Sequence, residues 1–394
     1  MTPAAASEAL SMRIFYASGK RPNEALTDST IWHENLFGSL VSLGHDVVEF
    51  DYDLEPLLAH ADFTVPENAS FIAEHRPTAE RALLDQLFRA HSEKPVDLLF
   101  TYFYSSCASA ATIRQISEAG IPTMNWYCNA SYQLHLVADL APAYDYSLVP
   151  EKFRLEDYRA LGANPVYCQE AANPDVYHSY DVPVEYDVTF VGARYADRPD
   201  YIKALLAAGI EARVWGPGWT DPAGLEIAGS WTDFAAILPH PHAWRSLAGR
   251  VYRRAFRPQD VPTLLPRRVC GAPLSDEEMV KMYSRSKISL GFSGVAGTLE
   301  DGRRITQLRL RDFEAPMAGA FYLCEYMDEL DEFFEIGKEI VCYETVDEMV
   351  ALCRYYLAHD DEREAIREAG RLRSLRDHTW QRRLSDVFSA VGLQ

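Results

Sequence analysis

Apolar and polar positions along the chain fall into short runs whose period switches back and forth. Met12–Ala17 (M-R-I-F-Y-A) is a brief apolar run after a polar leader and predicts a strand. A Gly/Pro/Asn loop, G-K-R-P-N-E, leads to a helix from about Ser29 to Leu43, stopped by Gly44, and Asp46–Asp51 predicts a second strand. Strand, glycine-bearing loop, helix, glycine and strand form the βαβ unit of a parallel sheet. The pattern repeats. Leu83, Leu84, Leu87 and Phe88 line one helical face within Thr78–His91, and Val96–Tyr102, Ile121–Tyr127 and Tyr144–Val149 predict strands. Helices over Ala108–Glu118 and Glu151–Leu161 complete a doubly wound first half.

The stretch Ala171–Glu185 is rich in Pro, Asp and Tyr without periodicity, and it predicts the crossing between two domains. The βα pattern then restarts. Tyr186–Val191 is a strand ending at Gly192, Pro199–Ala208 a helix, and Ile210–Trp215 a strand ending in G-P-G-W. Ser275 with Glu278 opens a helix to about Ser284, Lys287–Phe292 is a strand, and Glu339–Tyr343 another. Thr345 with Glu348 opens the first of three closing helices; the last carries Trp380, Leu384, Val387, Phe388 and Val391 on one face. The expected fold class is α/β: two tandem Rossmann-like doubly wound domains facing a cleft. The expected spans are 12–172 and 186–375, with a final helix over 376–394 that crosses back to the first domain.

At 394 residues two domains are the natural division. Lys plus Arg number 38 against 58 Asp plus Glu, a formal net charge of −20, which argues against a duplex nucleic-acid partner but allows a local basic site. No two of the seven cysteines lie close enough for a zinc knuckle or a C-x-x-C motif, and most sit in apolar runs as reduced thiols would. The leader has no secretory pattern and no run of 18 apolar residues exists, so the expectation is a cytoplasmic protein without a membrane span.

The stretch with most chemistry runs R-R-I-T-Q-L-R-L-R-D-F-E-A-P-M-A-G-A-F-Y-L, residues 303–323. Arginines lead to a predicted helix start at Asp312, with Glu314 in the first turn and Pro316 placed near that start, where proline costs least. Gly319 closes the helix and Ala320–Leu323 predicts a buried strand. A helix start beside arginines attracts phosphates, and a carboxylate in its first turn can accept from a ribose diol. Together these features point to a nucleotide.

The second half resembles the CgeB-like glycosyltransferases, relatives of the family-four enzymes with the GT-B fold. The matching segments are D-V-T-F-V-G-A-R-Y-A-D-R (187–198), V-W-G-P-G-W (214–219), P-L-S-D-E-E-M-V-K-M-Y (273–283), K-I-S-L-G-F-S (287–293), R-D-F-E-A-P-M-A-G-A-F (311–321) and H-T-W-Q-R-R (378–383). The first half matches more loosely, through residues 39–51 and 170–174. The resemblance implies a nucleotide-sugar donor, a UDP-sugar above all, held by the second domain, and an acceptor of unidentified class held by the first. It implies Glu314 as ribose ligand, Arg311 as diphosphate contact, and Arg194 and Arg198 as offsets for leaving-group charge. Gly192, Gly216 and Ser293 would line the donor and Gly271, Ala272 and Pro273 the base. The first glutamate of the family-four E-x7-E motif is missing; Ser293 is followed instead by a G-V-A-G-T-L-E-D-G-R-R stretch read as a long loop.

His33, in the first turns of the first helix with Asp28 and Glu34 nearby, is the candidate general base for deprotonating an acceptor hydroxyl. Trp126 and Asn129 are further acceptor-side candidates. Asp51-Tyr52-Asp53 is formally the metal–diphosphate D-x-D, but strand-end aspartates are ordinary turn formers, so no metal and no cofactor is expected. His378 is expected to help the last helix cross back. The arginines of 245–268 stay without an assigned role. Two other readings remain: a catalytically silent nucleotide- or glycan-binding protein, and a nucleotide-sugar epimerase on the same fold.

Overall fold

The computed structural model describes residues 11–19, 30–220, 263–298 and 304–393. They divide into two compact units, one holding the described part of 11–176 with 376–393, the other the described part of 177–375.

In the first unit, six strands form one fully parallel sheet: β1 (Arg13–Ala17), β2 (Asp46–Glu49), β3 (Leu98–Thr101), β4 (Thr123–Trp126), β5 (Tyr146–Val149) and β6 (Pro165–Tyr167). Their order is β2-β1-β3-β4-β5-β6, so the chain reverses its direction of winding between β1 and β3. Five of these strands match apolar runs in the sequence; β6 is only three residues long and had no periodicity to show. The helix expected over 78–91 spans Pro66–Glu93 and passes through Pro77. Buried Ile72, Ala79, Leu83, Leu87 and Ala90 lay its inner face on the sheet, and that packing outweighs one lost backbone bond. The closing helix Trp380–Ala390 belongs to this unit. Thr379 caps it by accepting from the Arg382 N–H, and Ala172 bridges to Thr379 through bonds on each side of it, from the Ala172 N–H to the His378 carbonyl and from the Trp380 N–H to the Ala172 carbonyl. Trp380, fully buried, packs edge-on against Trp126 at 5.3 Å.

The second unit contains β7 (Tyr186–Val191), β8 (Ala212–Trp215), β9 (Cys270–Gly271), β10 (Ser286–Gly291), β11 (Gly294–Thr298), β12 (Arg304–Thr306), β13 (Tyr322–Glu325) and β14 (Val341–Tyr343). Its sheet is again fully parallel, in the order β14-β13-β10-β7-β8-β9. Numbered from β7 this is the 3-2-1-4-5-6 order of a dinucleotide-type fold, with its reversal between β7 and β10. Val188, Phe190, Ile202, Leu205, Val214, Ile288, Leu290 and Leu323 form the centre of the core.

Two sequence expectations are corrected here. The stretch after Ser293 is not simply a loop: its described ends are β11 and β12, paired antiparallel with Gly294 opposite Thr306 and Thr298 opposite Arg304. Its glycines and charged residues hid the strand alternation. The helix expected to start at Asp312 runs Leu310–Met317, so Asp312 is in its first turn, Glu314 falls in the second, and Pro316 lies within it rather than near its start. Asp312 itself caps the helix by accepting from the Arg309 N–H at 2.7 Å. In a helix of eight residues, Pro316 forfeits a single backbone bond.

Candidate nucleotide-sugar site

In doubly wound sheets ligands lie beyond the carboxyl ends of the strands where the winding reverses. In the second unit that place is the space beyond β7 and β10. The two loops on the β7 side are stitched together: the Gly192 N–H donates to the Trp215 carbonyl (2.8 Å), the Arg194 N–H to the Pro217 carbonyl (2.8 Å), and the Trp219 indole to the Gly192 carbonyl (2.6 Å). Gly216 holds φ at +136°, and a Cβ there would land on the Gly192 carbonyl. Gly192 and Gly216 therefore form one close crossing of backbone.

Above that crossing gather Arg198, Arg309 and Arg311. Arg198 opens the helix Arg198–Ala207 yet is only 3% exposed; it donates to the Ala193 carbonyl (2.8 Å) and the Tyr195 hydroxyl (2.6 Å) and lies 3.8 Å over the Tyr195 ring. Arg309 donates to the same Tyr195 oxygen (2.8 Å) and to the Gly294 carbonyl (3.0 Å). Arg311 is half-buried, extends its guanidinium over the Phe190 ring at 5.2 Å, and reaches the end of β7 beside Gly192. Among the described residues none of the three forms an ion pair with a carboxylate. Each also has a buried Nε–H without a partner. Desolvation, with the charges of Arg309 and Arg311 adding to it against the opposing influence of Tyr195, pushes the Arg198 guanidinium down to about 9. Arg311 moves the other way: burial alone would lower it, but the Tyr283 and Tyr322 hydroxyls and the Glu314 carboxylate raise it. Asp312 is the nearest capping acid. Burial pushes its carboxyl up, and the bonds it accepts from Tyr322 Oη (2.6 Å) and the Arg309 N–H hold it back.

A fourth arginine, Arg304, behaves differently. It is neutralised by Glu325 and by Asp197 (3.0 Å). Glu325 also accepts from the Ser293 N–H (3.0 Å), and the Ser293 hydroxyl donates to the Glu325 carbonyl (2.8 Å). Ser293, 1% exposed, thus braces the turn after β10 with its own hydroxyl engaged. Arg194 turns to the Thr263 carbonyl (3.0 Å) on the β8–β9 side and does not join the other three. Glu314 is 2% exposed, close to Arg311 and Tyr283. Gly271, Ala272 and Pro273 lie at the β9 edge, with Gly271 packed flat against the Trp215 ring.

In the first unit, His33 lies beyond β1 in a helical stretch made of Ile31–His33, a π turn Glu34–Gly38 and Ser39–Ser42. Its Nε2 is 3.0 Å from Glu49 Oε1 at the end of β2, and its ring stacks on Phe37 at 4.6 Å. Glu49 is the orienting acid, which sequence spacing missed because β2 brings it from 16 residues away. Glu34 is farther, at 4.0 Å, and Asp28 lies outside the described residues. Trp126 is fully buried between Trp32 and Trp380 and belongs to the core. The His378 backbone, not its ring, makes the bond to Ala172 that helps seat the last helix. Of the arginines of 245–268, only Arg267 and Arg268 are described, in a short turn before β9.

The paired parallel sheets place the chain beside known structures over nearly its whole length. Sucrose-phosphate synthase from Thermosynechococcus elongatus superposes with a TM-score of 0.54 at 12% identity, covering 96% of this chain and 99% of that one. The fold is GT-B. An alpha-glucosyltransferase in complex with UDP and a 13-mer DNA gives 0.56 at 12% identity over 97% and 100%. HepE from Anabaena, in complex with UDP and glucose, gives 0.50 at 10% identity over 97% and 100%. Residues 198–389 match the family described as glycosyl transferase-like. No curated protein is matched by the sequence. No described helix is long and apolar enough to cross a membrane.

Proposed function

We propose that this protein is a glycosyltransferase of CgeB-like type that takes its sugar from a nucleoside-diphosphate donor, a UDP-sugar. The observation that carries the reading is the group of three guanidiniums beyond β7 and β10 with no carboxylate ion-paired to them among the described residues. Burying uncompensated positive charge is expensive, and it persists where a bound anion completes the site. Cleaving a sugar–phosphate bond leaves a nucleoside diphosphate whose new charge must be stabilised, and fixed cations do this without reorganising. Arg198, Arg309 and Arg311 are those cations, and transfer proceeds without a metal. Glu314, beside Arg311, receives the ribose, and the β9 edge at Gly271–Pro273 lies along the base. Arg194 acts from the base side, having turned away from the three. UDP bound in two structures of similar fold supports the choice of nucleotide. In the first unit, His33 held by Glu49 is the base for the acceptor hydroxyl, and the acceptor is a small molecule, glycan or peptide.

The test is calorimetric titration of wild type, Glu314→Gln and Glu314→Ala with a panel of nucleoside diphosphates. UDP binding should weaken by at least ~10-fold in both variants, equivalent to about 1.4 kcal/mol. If every nucleoside diphosphate binds both variants as tightly as wild type, the donor site is wrongly placed. Release of free diphosphate from a sugar-nucleotide panel by wild type separates a transferase from a silent binder.

A further inference from the structure

The Tyr195 oxygen is the centre of the arginine group, and its hydrogen-bond inventory is unbalanced. It accepts from Arg198 Nη2 at 2.6 Å and from Arg309 Nη2 at 2.8 Å, which occupies both lone pairs of a phenol. The hydroxyl proton must therefore point away from both guanidiniums, and no acceptor for it exists among the described residues. Its ring is fixed as well, with the Arg198 guanidinium 3.8 Å above its centroid. The next residue, Ala196, holds φ at +51°, a conformation that costs a non-glycine residue free energy and here sets the angle at which Tyr195 leaves the loop. A fixed ring, two charged donors and one free proton form a preorganised receptor for an oxygen that bears negative charge. Arg198, 97% buried, adds an Nε–H that has no partner among the described residues.

We propose that Tyr195 donates its hydroxyl proton in a hydrogen bond to a phosphoryl oxygen of the bound diphosphate, while Arg198 and Arg309 hold the phenol in place. The inference deepens the donor-site reading and rests on its anion-binding part. No proton is transferred: the phenol stays a phenol and donates a hydrogen bond.

Inorganic pyrophosphate is the probe, titrated calorimetrically into wild type, Tyr195→Phe and a chain carrying 3-fluorotyrosine at position 195. Phenylalanine keeps the ring under Arg198 and removes the donor, so affinity should fall about 10-fold, the size expected for one hydrogen bond to a charged group. Fluorotyrosine is nearly isosteric and a stronger acid, so at a pH where its hydroxyl stays protonated affinity should rise at least about twofold. A residue that merely braced the arginines would not respond to fluorination. The proposal stands if phenylalanine weakens binding at least fivefold and fluorotyrosine tightens it. Any other pattern overturns it, including wild type that does not bind pyrophosphate; should the phenylalanine variant not fold, the fluorotyrosine result alone decides. UDP is titrated in parallel into wild type. Failure of UDP to bind while pyrophosphate behaves as expected removes the nucleotide reading and leaves Tyr195 in its role.

Discussion

Replacing Gly216 by alanine tests whether the crossing of the β7 and β8 loops is what holds the arginine site in shape. Two costs add at this position. At φ +136° an L-residue is in a region that is essentially glycine's alone, worth ~1–3 kcal/mol of strain. The new Cβ would also land on the Gly192 carbonyl, with the carbonyl carbon 2.7 Å away, so the two loops must part. Parting them strains the three hydrogen bonds that join Gly192, Arg194 and Trp219 to the opposite loop, each worth ~1 kcal/mol. The sum is about 3–5 kcal/mol. Gly209 supplies the control: it holds φ +77° at the end of the helix Arg198–Ala207, and a Cβ there meets nothing within 4 Å. Gly209→Ala should cost ~1 kcal/mol, from backbone conformation alone. At ~2–4 °C per kcal/mol for a unit of this size, differential scanning calorimetry should show Gly216→Ala melting about 10 °C lower and Gly209→Ala only a few degrees lower. Equal losses in the two variants would show that the close approach of the loops contributes nothing, and the account of the crossing would fail.

His33→Gln should abolish most turnover, measured as slow hydrolysis of the donor with water as acceptor, by ~100-fold or more while leaving UDP affinity unchanged; Glu49→Gln should fall between the two, and undiminished turnover in His33→Gln would remove the histidine from the mechanism. His45 sets a pH dependence: burial lowers its imidazole, whose Nδ1 accepts from the Met12 N–H at 3.2 Å and whose ring packs on Phe388 at 5.7 Å. Because the unfolded chain holds that proton more tightly, the contribution is complete above ~6.5 and is lost as pH falls through the lower folded value. Melting at pH 7.5 and pH 5.0 should show a steeper acid loss in wild type than in His45→Gln, by less than ~1 kcal/mol for a partly exposed ring, and parallel curves would contradict it.

Strands that run through a core announce themselves as apolar runs, which is why all ten expected strands overlap observed ones and β7 matches end to end. The features that escaped are those whose cause is tertiary. β6 and β9 are edge strands of three and two residues, paired on one side only, so no run of side chains had to be apolar. The β11–β12 pair depends on Arg304 lying over Gly294 and on its pairing with Glu325, a residue from another strand. Pro77 and Pro316 show the converse: a local rule yields when a buried helix face, or a helix only two turns long, makes one missing bond affordable.

The chemistry of the site was legible by residue type but not by membership. From sequence, Arg194, Arg198, Arg303, Arg304, Arg309 and Arg311 are equivalent cations within two short segments, and only the fold sorts the described ones. Arg304 looks as promising as Arg309, yet it is matched by two carboxylates, whereas Arg309, five residues on, is matched by none among the described residues. Arg194 lies four residues from Arg198 but leaves the loop on the other side of the Gly192–Gly216 crossing. What sets Arg309 apart from Arg304 is therefore the lack of a paired carboxylate among the described residues, and such a lack has no motif. The same reasoning explains why Tyr195 was passed over. A tyrosine between A-R and A-D carries no signal of its own, and it becomes informative only when two guanidiniums are found on one oxygen and the remaining proton has to be accounted for.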